Sequence, residues 1–172
     1  MNARLELLPL VVGITGHRDL PVESEGPLRE RFGELLTRMQ QQHPAMKILV
    51  LSGLAAGADI VAAEVAVDRG IAVLGCLPRP QADYEIDFTP EQLARFRRVL
   101  PCCWDVVTVG ASEKRDEHYV EVAAFIADYC HVLVAFWDGL PARGPGDTAP
   151  GVELGQGGLP GIARARPARD GP

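Results

Sequence analysis

The chain has 172 residues, 47% of them hydrophobic, which suits one domain with a sizeable core. Its formal net charge is −6, and residues 1–142 alone hold 13 Lys and Arg against 20 Asp and Glu. That balance argues against a tight, nonspecific grip on nucleic acid, which calls for a basic stripe. It leaves a small anionic ligand open, because backbone N–H groups hold phosphate without net positive charge.

No stretch reaches the length of a membrane span, and the start, MNARLELLPLVVGITG, lacks the long apolar run and cleavage site of a signal peptide. Cys76, Cys102, Cys103 and Cys130 form no C-x-x-C pair and no Cys/His cluster with zinc spacing. They read as reduced thiols in a cytoplasmic protein, with no metal site and no identified cofactor.

In chain order, the first element is a strand over Leu10–Thr15 that runs into Gly13-Ile14-Thr15-Gly16-His17-Arg18-Asp19. Gly13 and Gly16 leave the backbone open to a ligand, Thr15 offers a hydroxyl, and Arg18 offers a fork of donors suited to phosphate. The plain alternative is a strand-to-loop turn with a solvated His17–Arg18 pair. A helix follows, with Leu28, Phe32, Leu35, Leu36 and Met39 on one face at i, i+4, i+7, i+8 and i+11.

The second strand, Lys47–Leu51, leads into Ser52-Gly53-Leu54-Ala55-Ala56-Gly57-Ala58-Asp59 and an Ala/Val-rich helix over Ala58–Arg69. A loop of small residues opening a helix after a strand points unpaired N–H groups at whatever lies above the sheet. Ser52 adds a hydroxyl. Asp59 is either a first-turn acid serving the helix N–H groups or an acceptor for a ribose or base. The loop is neither a Walker A nor a G-x-G-x-x-G, so an ATPase or NAD-dehydrogenase assignment lacks support.

The third strand is Ala72–Leu77. Beyond it, Tyr84 either stacks on a base or covers the sheet edge, and Asp87 has no evident local duty. Thr89-Pro90-Glu91-Gln92 reads as a capping box opening a helix with Leu93, Phe96 and Leu100 inward. A fourth strand spans Asp105–Val109. A helix from about Arg115 to Tyr129 follows, with Tyr119, Val122, Ala123, Ile126 and Cys130 inward, and then a strand over His131–Trp137. Asp138 and Gly139 stand at its carboxyl end. The stretch holding Gly146 and Thr148 is either a phosphate cradle or the start of a disordered tail.

Strand–helix–strand repeated four times predicts right-handed crossovers and a Rossmann-like, three-layer α/β/α fold with a mainly parallel five-stranded sheet. The expected domain is 1–142. Residues 143–172, rich in Gly, Pro and Arg, are expected to be disordered.

Four stretches together resemble the SLOG superfamily, the Rossmann-like group that contains the DNA-processing A (Smf) and Lonely Guy families. They are GITGHRD (13–19), LSGLAAGAD (51–59), LPRPQADYEIDF (77–88) and FWDG…GPGDTA (136–149). The resemblance implies a nucleotide-binding domain, often a ligand sensor in bacterial signalling or defence. It implies ligand contacts from Gly16, His17, Arg18, Ser52, Gly53, Gly57 and the Gly146–Thr148 loop, and self-association of the kind found among relatives. Asp147 departs from the G-G-T of similar proteins and sets negative charge beside the phosphate cradle.

The reading that follows is a sensor-like module for a nucleotide or nucleotide derivative. One alternative is a phosphoribohydrolase-like enzyme acting on nucleoside monophosphates, but Glu153 stands at the wrong offset from Thr148 for the P-G-G-x-G-T-x-x-E loop of the Lonely Guy enzymes. The other alternative is single-stranded DNA binding as in DNA-processing A proteins. The acidic balance and the missing basic, aromatic-lined groove oppose it.

Overall fold

Residues 8–136 are described in a computed structural model of the chain. The five apolar runs form strands β1 (Leu10–Gly16), β2 (Ile48–Ser52), β3 (Ala72–Leu77), β4 (Asp105–Thr108) and β5 (Val132–Phe136). Between them lie helices α1 (Val22–Gln42), α2 (Ala58–Asp68), α3 (Gln81–Tyr84), α4 (Pro90–Val99) and α5 (Glu117–Tyr129). The strands pair in parallel in the order β4-β3-β2-β1-β5. The fold is the expected three-layer, Rossmann-like α/β/α arrangement.

Each step from β1 to β4 moves the same way along the sheet, so right-handed crossovers place α1, α2 and α4 on one face. The return from β4 to β5 runs the other way, and the same handedness carries α5 to the opposite face. Strand order therefore reverses between β1 and β5, the kind of point outside whose carboxyl ends ligand crevices open.

Successive strand residues point to opposite faces, which is why strands covered on both sides are apolar throughout. Val12, Ile14, Val50 and Val73 meet Phe32, Leu36, Val61 and Phe96 in the larger core. Leu51 and Cys76 meet Val122 and Ile126 beneath α5 in the smaller one.

Every residue of α2 from Ala58 to Ala66 is buried, which explains its lack of a polar stripe. Asp59 and Glu64 are the charged exceptions, and Glu64 faces the neighbouring helices. Burial works against its ionised form, but hydrogen bonds from Arg95, Arg98 and Arg29 outweigh it and hold the carboxyl at about 2. The cluster pins α2 to α1 and α4.

The capping box of α4 forms as expected. Thr89 N–H donates to Gln92 Oε1 at 3.0 Å, and Gln92 N–H donates to Thr89 Oγ1 at 3.4 Å. Two features go beyond the sequence pattern. Helix α1 begins at Val22, six residues before its apolar stripe, with Glu23 and Glu25 in its first turn and Pro27 inside. Acids there favour the positive helix end without any apolar period to reveal it. The short α3, followed by a 3-10 turn over Glu85–Asp87, is too brief to show a helical repeat, yet it sets Tyr84 and Asp87 beside the sheet edge.

Candidate functional site

The β1 turn and the β2–α2 loop lie at the same carboxyl edge and touch. Gly57 has φ +83°, and a Cβ there would lie 2.3 Å from the His17 carbonyl oxygen and 2.4 Å from that of Arg18. A Cβ on Gly16 would lie 2.4 Å from Ala58 Cβ. These small residues serve the fit of one loop against the other. Gly13 likewise lies under α5, where a Cβ would meet Ile126 at 2.6 Å.

The contact corrects one expectation. The first N–H groups of α2 do not form an open crown for an anion. Ala58 N–H donates to the His17 carbonyl at 3.0 Å, Ile60 N–H to Ala55 at 3.1 Å and Val61 N–H to Gly57 at 3.3 Å. Ser52, wholly buried, is also engaged within the loop: its hydroxyl donates to the Asp59 carbonyl at 3.1 Å and accepts from Leu54 N–H at 3.1 Å. Leu54 between them has φ 51°, a left-handed backbone that L residues rarely hold.

What the two loops do enclose is a cavity of about 40 Å³ on the α5 side of the sheet. Thr15 and Gly16 line it from β1 and Arg18 from the turn that follows, while Gly53, Ala55 and Asp59 line it from the β2–α2 loop and α2. Tyr84, Tyr119, Val122 and Ile126 complete its walls. At roughly 10–15 Å³ per water-sized sphere, it has room for about three waters. One end of a ligand fits; a whole nucleotide does not.

Asp59 is the polar group inside. It is 9% exposed, and its Oδ1 has no hydrogen-bond partner. Burial pushes its carboxyl up to about 7, against the pull of the Arg18 guanidinium and the Ala55 N–H. The Arg18 guanidinium lies 4.6 Å from the centroid of the Tyr119 ring, with Arg79 at 5.2 Å from the same ring. The cavity thus has a buried carboxyl within and a cation on an aromatic ledge, a pairing that can take a ligand with one polar, uncharged end and one anionic end.

Two further sequence-derived positions have structural partners. Tyr84 is 1% exposed, and its ring sits 4.9 Å from Phe88 and 5.6 Å from Phe96. Its hydroxyl donates to the Gly53 carbonyl at 3.2 Å, and burial pushes the phenol well above its ordinary range. It closes the cavity wall and has no open face for a base to stack on. Asp87, read from sequence as without a local duty, accepts from Arg79, the Tyr119 hydroxyl and, at 2.9 Å, Arg115. Those bonds fix Tyr119 and Arg79 against each other. Asp138, Gly139, Gly146 and Thr148 lie outside the described residues.

Arg79 and Tyr119 went unmarked as site residues in the sequence. Arg79 stands two residues past the end of β3, so the rule that picked out Arg18 at a strand's carboxyl end reaches it as well. Tyr119 showed only its helical spacing. Among the described residues no group of three or more His, Cys, Asp and Glu is placed to hold a metal ion, and no helix is long and apolar enough to cross a membrane.

No protein-family model matches the chain, and no curated protein matches it. Among solved structures, it is similar to DNA processing protein A from Streptococcus pneumoniae, with a TM-score of 0.51 at 18% identity over 74% of this chain and 41% of that one. The structural-genomics target TM1055 gives 0.46 at 16% identity, over 73% of this chain and 59% of that one. The Helicobacter pylori DNA processing protein A, described in a single-stranded DNA binding mode, gives 0.34 at 19% identity, over 85% and 71%. The chain therefore spans less than two thirds of the first two. The likeness to the Streptococcus protein is one of fold.

Proposed function

We propose that this domain binds a nucleotide or nucleotide-derived ligand at the carboxyl edge of its sheet, as a sensor or regulatory module. One observation carries the reading: Arg18 from the β1 turn and the buried Asp59 of α2 line the same cavity. A phosphate fits the guanidinium, which forms charge-assisted bonds to planar or tetrahedral anions. The remainder of the ligand lies against Tyr119 and reaches inward. Gly16, Gly53 and Gly57 act indirectly, by letting the two loops approach closely enough to form the cavity. Thr15 contributes its side of the wall, and His17 holds the N-terminus of α2 through its carbonyl.

Isothermal titration of the full chain with AMP and with ADP-ribose tests the proposal. Saturable heat at submillimolar ligand, weakened about tenfold or more in Arg18→Ala, is the expected result, given the worth of a hydrogen bond to a charged group. No binding of either compound at millimolar concentration by folded protein overturns it. Release of free adenine from AMP would move the protein to the phosphoribohydrolase class. Salt-sensitive retardation of an oligonucleotide would move it to the single-stranded DNA binders.

A further inference from the structure

The Asp59 carboxyl takes one contact from the fold around it, the Ala55 N–H, and leaves its Oδ1 with none. The hydrogen bond that ties this residue to Ser52 uses the Asp59 main-chain carbonyl, and the first turn of α2 is held by carbonyls of His17 and Ala55. Its Oδ1 nonetheless lies buried at the cavity without a hydrogen-bond partner, an arrangement that asks for one.

The groups facing it from each packed element narrow that partner down. Tyr84 is bonded to Gly53, Cys76 of β3 turns its thiol to the Leu74 carbonyl at 3.7 Å, and Arg79 and Tyr119 are both bound to Asp87. Arg18, on its aromatic ledge and lining the same cavity, is the charge that acts on the carboxyl. A phosphate brought as deep as Asp59 would meet an acidic group in a poorly screened site and be repelled. The end that enters must therefore be neutral, no larger than a few atoms, and able to donate.

We infer that Asp59 is the specificity-determining residue of this cleft: its Oδ1 accepts a hydrogen bond from an N–H or O–H group on the nucleoside half of the ligand, while the anionic half stays with Arg18. The inference rests on the functional reading above and adds the direction in which the ligand lies. An exocyclic base amine and a ribose hydroxyl both supply such a donor.

The test is isothermal titration of AMP into the full chain and its Asp59→Asn variant at pH 6 and pH 8. Burial pushes the Asp59 carboxyl up to about 7, so ionisation across this interval makes it the stronger acceptor. The phosphate of AMP also titrates here, with a second pKa of about 6, and is common to both proteins. The wild-type advantage over D59N is therefore the readout, expected to grow about tenfold from pH 6 to pH 8. Inosine monophosphate and deoxy-AMP then separate the sources on the wild-type protein alone: selective loss of affinity with the first identifies the amine, and with the second the hydroxyl. AMP binding that is equal in wild type and D59N at both pH values overturns the assignment of Asp59 and leaves the functional reading standing. Absence of wild-type binding to both AMP and ADP-ribose overturns both.

Discussion

Replacing Asp59 by Asn should stabilise the protein, and increasingly so as pH rises. In the folded chain, burial moves the Asp59 carboxyl from 3.8 up to about 7. The folded state thus holds this proton more tightly than the unfolded state does. The resulting contribution to stability is complete below pH 3.8 and is lost as pH climbs through 7. At about 1.4 kcal/mol per pH unit, the whole interval is worth about 4 kcal/mol as an upper bound, and relaxation around the charge lowers it to about 2–4 kcal/mol. Asn keeps the shape and an acceptor oxygen but has nothing to ionise. Urea unfolding at pH 5, 6, 7 and 8 should show D59N already ahead by about 1–2 kcal/mol at pH 5, which lies above the ordinary 3.8, and ahead by about 2–4 kcal/mol at pH 8. Parallel curves for the two proteins, or a less stable D59N at pH 8, refute the claim that an unsatisfied buried acid sits here. A buried acid that costs stability at working pH fits a site where function, not the fold, requires it.

Three further outcomes follow from the same geometry. Gly57→Ala places a methyl against two carbonyl oxygens in a backbone region suited to Gly, and urea unfolding should show a loss of at least about 2 kcal/mol; a loss below about 0.5 kcal/mol contradicts the close contact of the two loops. Glu64→Gln leaves Arg29, Arg95 and Arg98 around a neutral group, and should cost about 2 kcal/mol at pH 7. Because the folded Glu64 carboxyl is held at about 2 against an ordinary 4.5, its contribution is present above pH 4.5 and lost as pH falls toward 2, so acid unfolding of the variant should be shallower than that of the wild type. Tyr119→Phe removes the hydroxyl between Arg79 and Asp87, and thermal unfolding should report a loss of about 1 kcal/mol.

The fold was legible because its strands are short, apolar and β-branched, and because right-handed crossovers leave few ways to connect them. Thr89, Pro90 and Gln92 announced the start of α4 by local chemistry alone. Helix α3 and the early start of α1 were not legible, since four residues cannot display a helical period and Val22–Glu25 carry no apolar stripe. The sequence placed the β1 turn and the β2–α2 loop at one edge of the sheet, where they do meet, but not the close packing of their small residues against each other. Gly16 and the small residues around Gly57 suggested backbone open to a ligand, and Ser52 a hydroxyl donor. In three dimensions Gly16 and Gly57 are consumed in joining the β1 turn to α2, a long-range contact invisible to local pattern, and Ser52 is taken up by Asp59 and Leu54 within its own loop. Asp59 could be read either way from sequence, and only its burial and its unpaired oxygen distinguish it from a helix-start acid. Asp87 is the reverse case: it seemed unemployed until Arg79, Arg115 and Tyr119 were brought to it from distant parts of the chain.

The most direct test of the central claim is a two-dimensional amide NMR titration of the full chain with AMP. Binding at the carboxyl-edge cleft predicts dose-dependent shifts concentrated at Thr15–Arg18, Gly53–Asp59 and Tyr119, with the amino-terminal strand ends at Leu10 and Ile48 unmoved. Shifts centred on any other surface, or none at millimolar AMP, contradict it.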